Sequence, residues 1–239
     1  MVESELSFIP AGEEAALVYF AEWPSEQTLE YIHSFCHLLE QKAPPWLLEL
    51  VPSYTSVMVY YDVTQLGFDQ LKKHLTKWNL SGELCGKSNN FGRELEIPVY
   101  YGEEVALDIK RVEAVTGMSR QQIVDCHSNL ELRVYALGFR PGFGFMGTLP
   151  PALVVPRLDT PRQQIPKGAV AIAETQTAIY PDISPGGWNI IGRCPIPMFD
   201  RSQSPPCTFL NTGDKARFVA ISRDRFLQLA EQHGGVVSL

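Results

Sequence analysis

Two hydrophobic periods alternate in the N-terminal third of the chain. Ala15–Phe20 is an apolar run of strand length, and Ser56–Tyr61 is a second, rich in β-branched and aromatic residues. Between them Leu29, Ile32, Phe35, Cys36 and Leu39 recur at helical spacing, which predicts a helix over 25–41. Ser25 can cap its start, and Pro44-Pro45 stand just past its end. Leu66, Leu71, Leu75 and Trp78 mark a second helix. The pattern predicts a small α+β domain over residues 1–80, with two helices packed on a sheet.

The pattern lapses over 81–93, where Gly, Ser and Asn dominate, so this stretch reads as a linker. Beyond it a strand is predicted over 96–101. Asp108 opens a short helix that should bury Ile109, Val112 and Val115 and end at Gly117. Ser119-Arg120-Gln121-Gln122 has the form of a capping box and predicts a helix through Cys126. Leu130–Leu137 alternates as a strand does. Pro, Gly, Phe and Arg then dominate from Gly138 to Gly168. Short strands are expected at 169–173, 177–180, 188–192 and 216–221, with a tail after them. Many short strands between Pro/Gly turns suggest an all-β sandwich or barrel over 94–239, trimmed with a helix or two. The fold class of the whole is α+β.

Composition narrows the function classes. The 239 residues are 45% hydrophobic and 20% charged, an ordinary globular mix that can build its own core. A formal net charge of −7 argues against nucleic acid or an anionic membrane as partner. The five cysteines have no metal-ligand or CxxC spacing and read as reduced thiols. The acidic start Met1–Glu5 is unlike a signal peptide, and no apolar stretch approaches the roughly 20 residues of a membrane helix, so a cytoplasmic protein is expected.

Several residues can carry chemistry. Gly138–Gly147 alternates Gly with Phe139, Phe143 and Phe145; it is either a contact loop presenting flat rings or a plug for one barrel end. Arg140, Arg157 and Arg162 each neighbour a proline, and a guanidinium binds carboxylate or phosphate through two parallel hydrogen bonds. Converging, they would make an anion site; apart, they are surface arginines for Asp159 or Glu174. His127 ends a helix, where it can serve as a base or bind the terminal carbonyls. Gln176, Thr177 and Tyr180 precede the Gly186-Gly187 turn, whose backbone N–H groups can cradle an anion. Gly82–Ser88 ends like a phosphate-binding loop but has one residue too few and the wrong flanks. His33 and His37 lie four apart without a third ligand nearby, and no metal site is expected.

Cys126-His127-Ser128, Gly138–Phe143, Pro156-Arg157 with Pro161-Arg162, Gln176-Thr177 with Ile179-Tyr180-Pro181, Ser184–Arg193 and Asn211–Phe218 occur in this order. Together they resemble the allophanate hydrolase subunit 1 family, which takes in the B subunit of 5-oxoprolinase and Kip-type inhibitors of a sporulation histidine kinase. The resemblance implies that the second domain is a cyclophilin-like β-barrel. It also implies a partner of the allophanate hydrolase subunit 2 type (the C subunit of oxoprolinase) and a third oxoprolinase subunit, with ATP consumed by the complex as 5-oxoproline opens to glutamate. In that chemistry ATP phosphorylates the unreactive lactam oxygen, arginines neutralise phosphate and carboxylate, and a histidine manages protons. The resemblance carries over His127, Arg140, Arg157, Arg162, Gln176, Thr177 and Tyr180 as pocket residues; His127 and Arg140 are expected in catalysis, and the others, with Gly186 and Gly187 of the turn, in substrate or anion binding. It leaves a Kip-type inhibitor or a urea- or allophanate-related amidolyase subunit as alternatives. Where the family pattern is Gly-Gly-x-Gln-Thr-Gly, this chain has Ala173-Glu174-Thr175-Gln176-Thr177-Ala178, with Glu174 and Ala178 beside the candidate pocket.

Overall fold

A computed structural model describes residues 6–80 and 92–234. The chain divides into two compact units, Met1–Phe91 and Gly92–Leu239. The near-motif Gly82–Ser88 and most of the expected linker lie outside the described residues. No helix among the described residues is long and apolar enough to cross a membrane.

The first unit runs β1 (Ser7–Pro10), β2 (Ala15–Tyr19), α1 (Glu26–Lys42), β3 (Leu47–Pro52), β4 (Ser56–Tyr61) and α2 (Phe68–Leu80). Its strands form an antiparallel sheet in the order β1-β2-β4-β3. Ser25 caps α1 by accepting from the Thr28 N–H at 3.0 Å. The helical spacing puts Ile32, Phe35, Cys36 and Leu39 against Val18, Val57 and Val59 of the sheet. The edge strands β1 and β3 were not legible, because each ends in proline and buries no residue fully.

The second unit is built on a seven-stranded sheet, in the order β12-β9-β10-β7-β6-β15-β5. The strands are β5 (Glu94–Val99), β6 (Glu131–Leu137), β7 (Gly144–Gly147), β9 (Ala169–Ala173), β10 (Gln176–Ile179), β12 (Asn189–Arg193) and β15 (Lys215–Ala220). The sheet curls until its edges meet: Tyr100, just past β5, exchanges backbone hydrogen bonds of 2.9 and 2.8 Å with Arg193 of β12. Two short ribbons, β8 (Arg162–Ile165) with β11 (Ser184–Gly186) and β13 (Phe199–Asp200) with β14 (Cys207–Thr208), complete the strands. Helices α3 (Ile109–Thr116) and α4 (Arg120–Ser128) follow β5, and the capping box at Ser119 and Gln122 is formed. Gly117 ends α3 in a left-handed conformation, φ 72°.

Three expectations need correction. Val115 is exposed rather than packed. The stretch read as a tail holds α5 (Arg223–Gln232), capped by Ser222 and buried through Phe226 and Ala230. Part of the Gly/Phe segment read as a loop is β7, an interior strand between β10 and β6.

Strand alternation sorts the second unit into two apolar layers. Val170 and Ile172 of β9 and Ile179 of β10 face the interior, with Ile97, Met146 and Phe218. Ala169, Ala171, Ala173 and Ala178 face the other way. Their small side chains leave room for a layer of rings, Phe143, Tyr180 and Trp188, with Phe145 packed against it. Phe143 is central: its centroid is 5.2 Å from Tyr180 and 5.7 Å from Trp188, both near-perpendicular.

Candidate functional site

The residues singled out from sequence fall in three places. The first is the interior. His127, on the last turn of α4, is 0% exposed and stacked on Phe218 at 4.4 Å. Its Nδ1 is 2.7 Å from the Tyr101 hydroxyl and its Nε2 is 2.9 Å from Thr177 Oγ1. The Thr177 hydroxyl donates to the Ala171 carbonyl at 3.1 Å, so it must accept from Nε2–H. Nδ1 then accepts from the tyrosine hydroxyl. Every proton in this network has an acceptor, and burial lowers the imidazole pKa to about 3. His127 is therefore a buried residue whose neutral form desolvation favours, and both of its nitrogens are engaged, which departs from the expectation of a base or of a ligand for the helix-end carbonyls.

The second place is the outer layer. Residues an odd number apart on a strand point to opposite faces, so Tyr180 leaves the sheet on the side away from Thr177. Gln176, half-buried, shares the parity of Ala178 and Tyr180. Burial raises the Tyr180 hydroxyl to about 12, and the Trp188 N–H, Arg157 and Arg162 draw it back down. Gly186 packs against this hydroxyl, and the Gly187 carbonyl accepts from Leu158 N–H at 2.7 Å. Just past the Pro-Gly-Gly turn, the Trp188 N–H is given to Tyr180.

The two arginines here differ. Arg162 forks onto Asp108, with bonds of 2.9 and 2.6 Å. Asp108, 6% exposed, also accepts from Ile190 N–H at 2.8 Å. Expected to open α3, Asp108 does occupy the cap position, yet its carboxylate makes no cap bond and serves this pair instead. Arg157 is exposed, lies 6.0 Å from the Trp188 ring and makes no ion pair among the described residues. Its backbone is held: the Pro156 carbonyl accepts from Asn189 at 3.0 Å and Arg111 at 3.3 Å. Asn189, fully buried, accepts from Arg111 at 2.6 Å and also donates to the Ile172 carbonyl at 3.1 Å. A guanidinium free in solvent on a fixed backbone is pre-organised for an oxyanion.

The third place is the Gly138–Gly142 turn. Phe143 is buried and Phe145 half-buried, so the expected patch of three rings shrinks to Phe139, 60% exposed and 5.3 Å from Phe143. Arg140 is exposed beside it and lines a cleft with Lys167 and Asp182. The structure does not gather His127 with Arg140, Arg157 and Arg162 in one cleft. Sequence reasoning missed Tyr101, Asp108, Arg111, Lys167 and Asn189; the Trp188-Asn189-Ile190 string was a usable signal for the last.

At Glu174, where the family pattern has glycine, the backbone adopts φ 51°, a conformation that suits glycine. Ala173 and Ala178, also at glycine positions of the pattern, are part of the alanine floor. The Asn211–Asp214 string is structural: Asp214, buried, accepts from Arg93 N–H at 2.9 Å and Asn211 N–H at 2.8 Å, fixing the start of the parallel β5–β15 pair. Among the described residues no group of three or more His, Cys, Asp or Glu is placed to hold a metal ion.

Comparison with known proteins adds a family. Residues 6–209 match the model described as "Carboxyltransferase domain, subdomain C and D". The chain is 33% identical to the B subunit of 5-oxoprolinase from Bacillus subtilis (strain 168) over 231 residues, covering 92% of this chain and 95% of that one. It is similar to the crystal structure of TTHA0988, with a TM-score of 0.74 and 34% identity over 87% of this chain, and it spans only 40% of that longer chain. It also shares a fold with the Kluyveromyces lactis urea carboxylase, TM-score 0.75 at 16% identity, over 95% of this chain and 23% of that one.

Proposed function

Because the chain belongs to the carboxyltransferase-domain family of subdomains C and D, we propose that it is the B subunit of an ATP-dependent 5-oxoprolinase. It acts with a subunit of the C type and a third subunit in the ATP-driven opening of 5-oxoproline to glutamate. The observation that carries this reading is the end-to-end match to the B. subtilis protein. The curled sheet, with its edges bridged at Tyr100 and Arg193, supports reading the second unit as a cyclophilin-like barrel. ATP enters as a co-substrate of the assembled complex.

Arg157 is the residue on the outer layer best placed for the chemistry. Its charge is unspent, its backbone is fixed by Asn189 and Arg111, and Trp188 gives it a flat neighbour. It binds a carboxylate or phosphoryl oxygen, while Arg162, held by Asp108, positions the β8–β11 ribbon. Loss of a charged hydrogen bond at such a site lowers turnover by about 10–100-fold. The expected result in the assembled complex is that loss in Arg157→Ala, with partial rescue in Arg157→Lys and an unchanged melting temperature. Full activity in Arg157→Ala would remove the residue from the site.

A further inference from the structure

We propose that the cleft lined by Arg140, Lys167, Asp182 and the β13–β14 hairpin is a binding site for a small oxyanion, of phosphate or carboxylate type. The cleft has a volume of about 370 Å³ and is walled by four segments far apart in sequence: Arg140-Pro141, Lys167, Pro181-Asp182 and Phe199–Ser202. The proposal shares Arg140 with the family resemblance but does not rest on the oxoprolinase reading, since Lys167 and binding by the isolated chain form no part of that reading.

The charges in the cleft are not equivalent. Asp200 is occupied by its own turn, accepting from the Ser202 N–H at 2.8 Å, the Ser202 hydroxyl at 2.6 Å and Gln203 at 3.1 Å. Asp182 accepts from Ile183 N–H at 2.8 Å and lies 3.8 Å from Arg201. Arg201 in turn lies 5.8 Å from the Phe199 ring. Arg140 and Lys167 remain, and neither makes an ion pair among the described residues. An oxyanion between them would meet an arginine fork and a lysine point charge, two complementary ways of binding phosphate or carboxylate.

Both cations stand on turns that cannot swing freely. Gly142, at φ 85°, brings the Arg140 turn so close to the chain at Met198 that an added Cβ would lie 2.4 Å from the Met198 carbonyl oxygen. Gly168, at φ 80°, does the same for the Lys167 turn, 2.4 Å from the Cys194 carbonyl oxygen. Each turn is thereby pressed, backbone against backbone, onto the Cys194–Phe199 segment. With the backbone of both turns held in place, only the two side chains need ordering when a ligand binds.

The test is isothermal titration of the chain alone with inorganic phosphate and, separately, succinate. At least one is expected to bind, and which one identifies the source as phosphoryl or carboxylate. Arg140→Met and Lys167→Met should each weaken binding about tenfold or more. Lys110→Met, which removes an exposed cation elsewhere, should leave it unchanged. Arg140 and Lys167 are exposed, so both variants should melt with wild type; if Arg140→Met misfolds, Lys167→Met alone decides. Absence of binding by both probes, binding indifferent to the cleft variants, or an equal loss in Lys110→Met would overturn the proposal. ATP-coupled turnover plays no part in the readout, so its failure and that of this site are distinguishable.

Discussion

Asp108→Ala is expected to destabilise the second unit by about 3 kcal/mol, at the low end for breaking a buried ion pair. The carboxylate is 6% exposed and holds both arms of Arg162 as well as the Ile190 N–H. Removing it strands two donor groups at once. Arg162 retains some contact with solvent, which limits its part of the loss, but Ile190 is buried and its N–H loses this acceptor. Urea unfolding followed by amide exchange in β9 and β12 reports this unit alone. In a double-mutant cycle the loss in Asp108→Ala and that in Arg162→Ala should overlap rather than add. A loss below about 1 kcal/mol would mean that the pair behaves as a surface contact.

The second large effect is on acid stability. His127 titrates near 6.5 in the unfolded chain and near 3 in the folded one, because burial disfavours its charged form. Between those values the unfolded state binds a proton that the native state does not. Stability from this group is therefore complete above about pH 6.5 and falls as pH is lowered towards 3. At pH 5 the loss is about 2 kcal/mol, and the full window is worth on the order of 5 kcal/mol. Unfolding measured at pH 7 and pH 5 should show this difference, and His127→Gln should remove most of it. Nitrogen NMR gives a direct reading: His127 should stay in the Nε2–H form down to pH 4. An imidazole titrating near 6.5 would contradict the buried network.

What was legible in sequence follows from the range of the interactions involved. The spacing of α1, the capping box of α4 and the αL glycine after α3 are local, and each is visible in a few residues. The Ala-Val-Ala-Ile-Ala run of β9 announces a strand with two different faces. The parity of Thr177 and Tyr180 was equally readable and puts the two on opposite faces. The fate of individual charges was not legible. Whether Arg162 is an anion ligand or half of a pair depends on Asp108, 54 positions away. Whether His127 is a base or a core residue depends on Tyr101 and Thr177, 26 and 50 positions away. β7 was hidden for a different reason: its glycines read as a loop, yet neighbours on both sides supply the pairing that its own residues do not suggest. In α5 the signal existed, with Ser222 as cap and Phe226 and Ala230 four apart, but only two buried positions in ten residues made it faint.

The central claim, that this chain is the B subunit of a 5-oxoprolinase, is tested most directly by reconstitution. The chain is combined with a C-type subunit and the proposed third subunit, ATP and 5-oxoproline, and glutamate is measured. The account predicts ATP-dependent glutamate formation by the full set, none when this chain is omitted, and none by this chain alone. Glutamate formed at an undiminished rate without this chain, or no glutamate from a fully assembled complex, would contradict it.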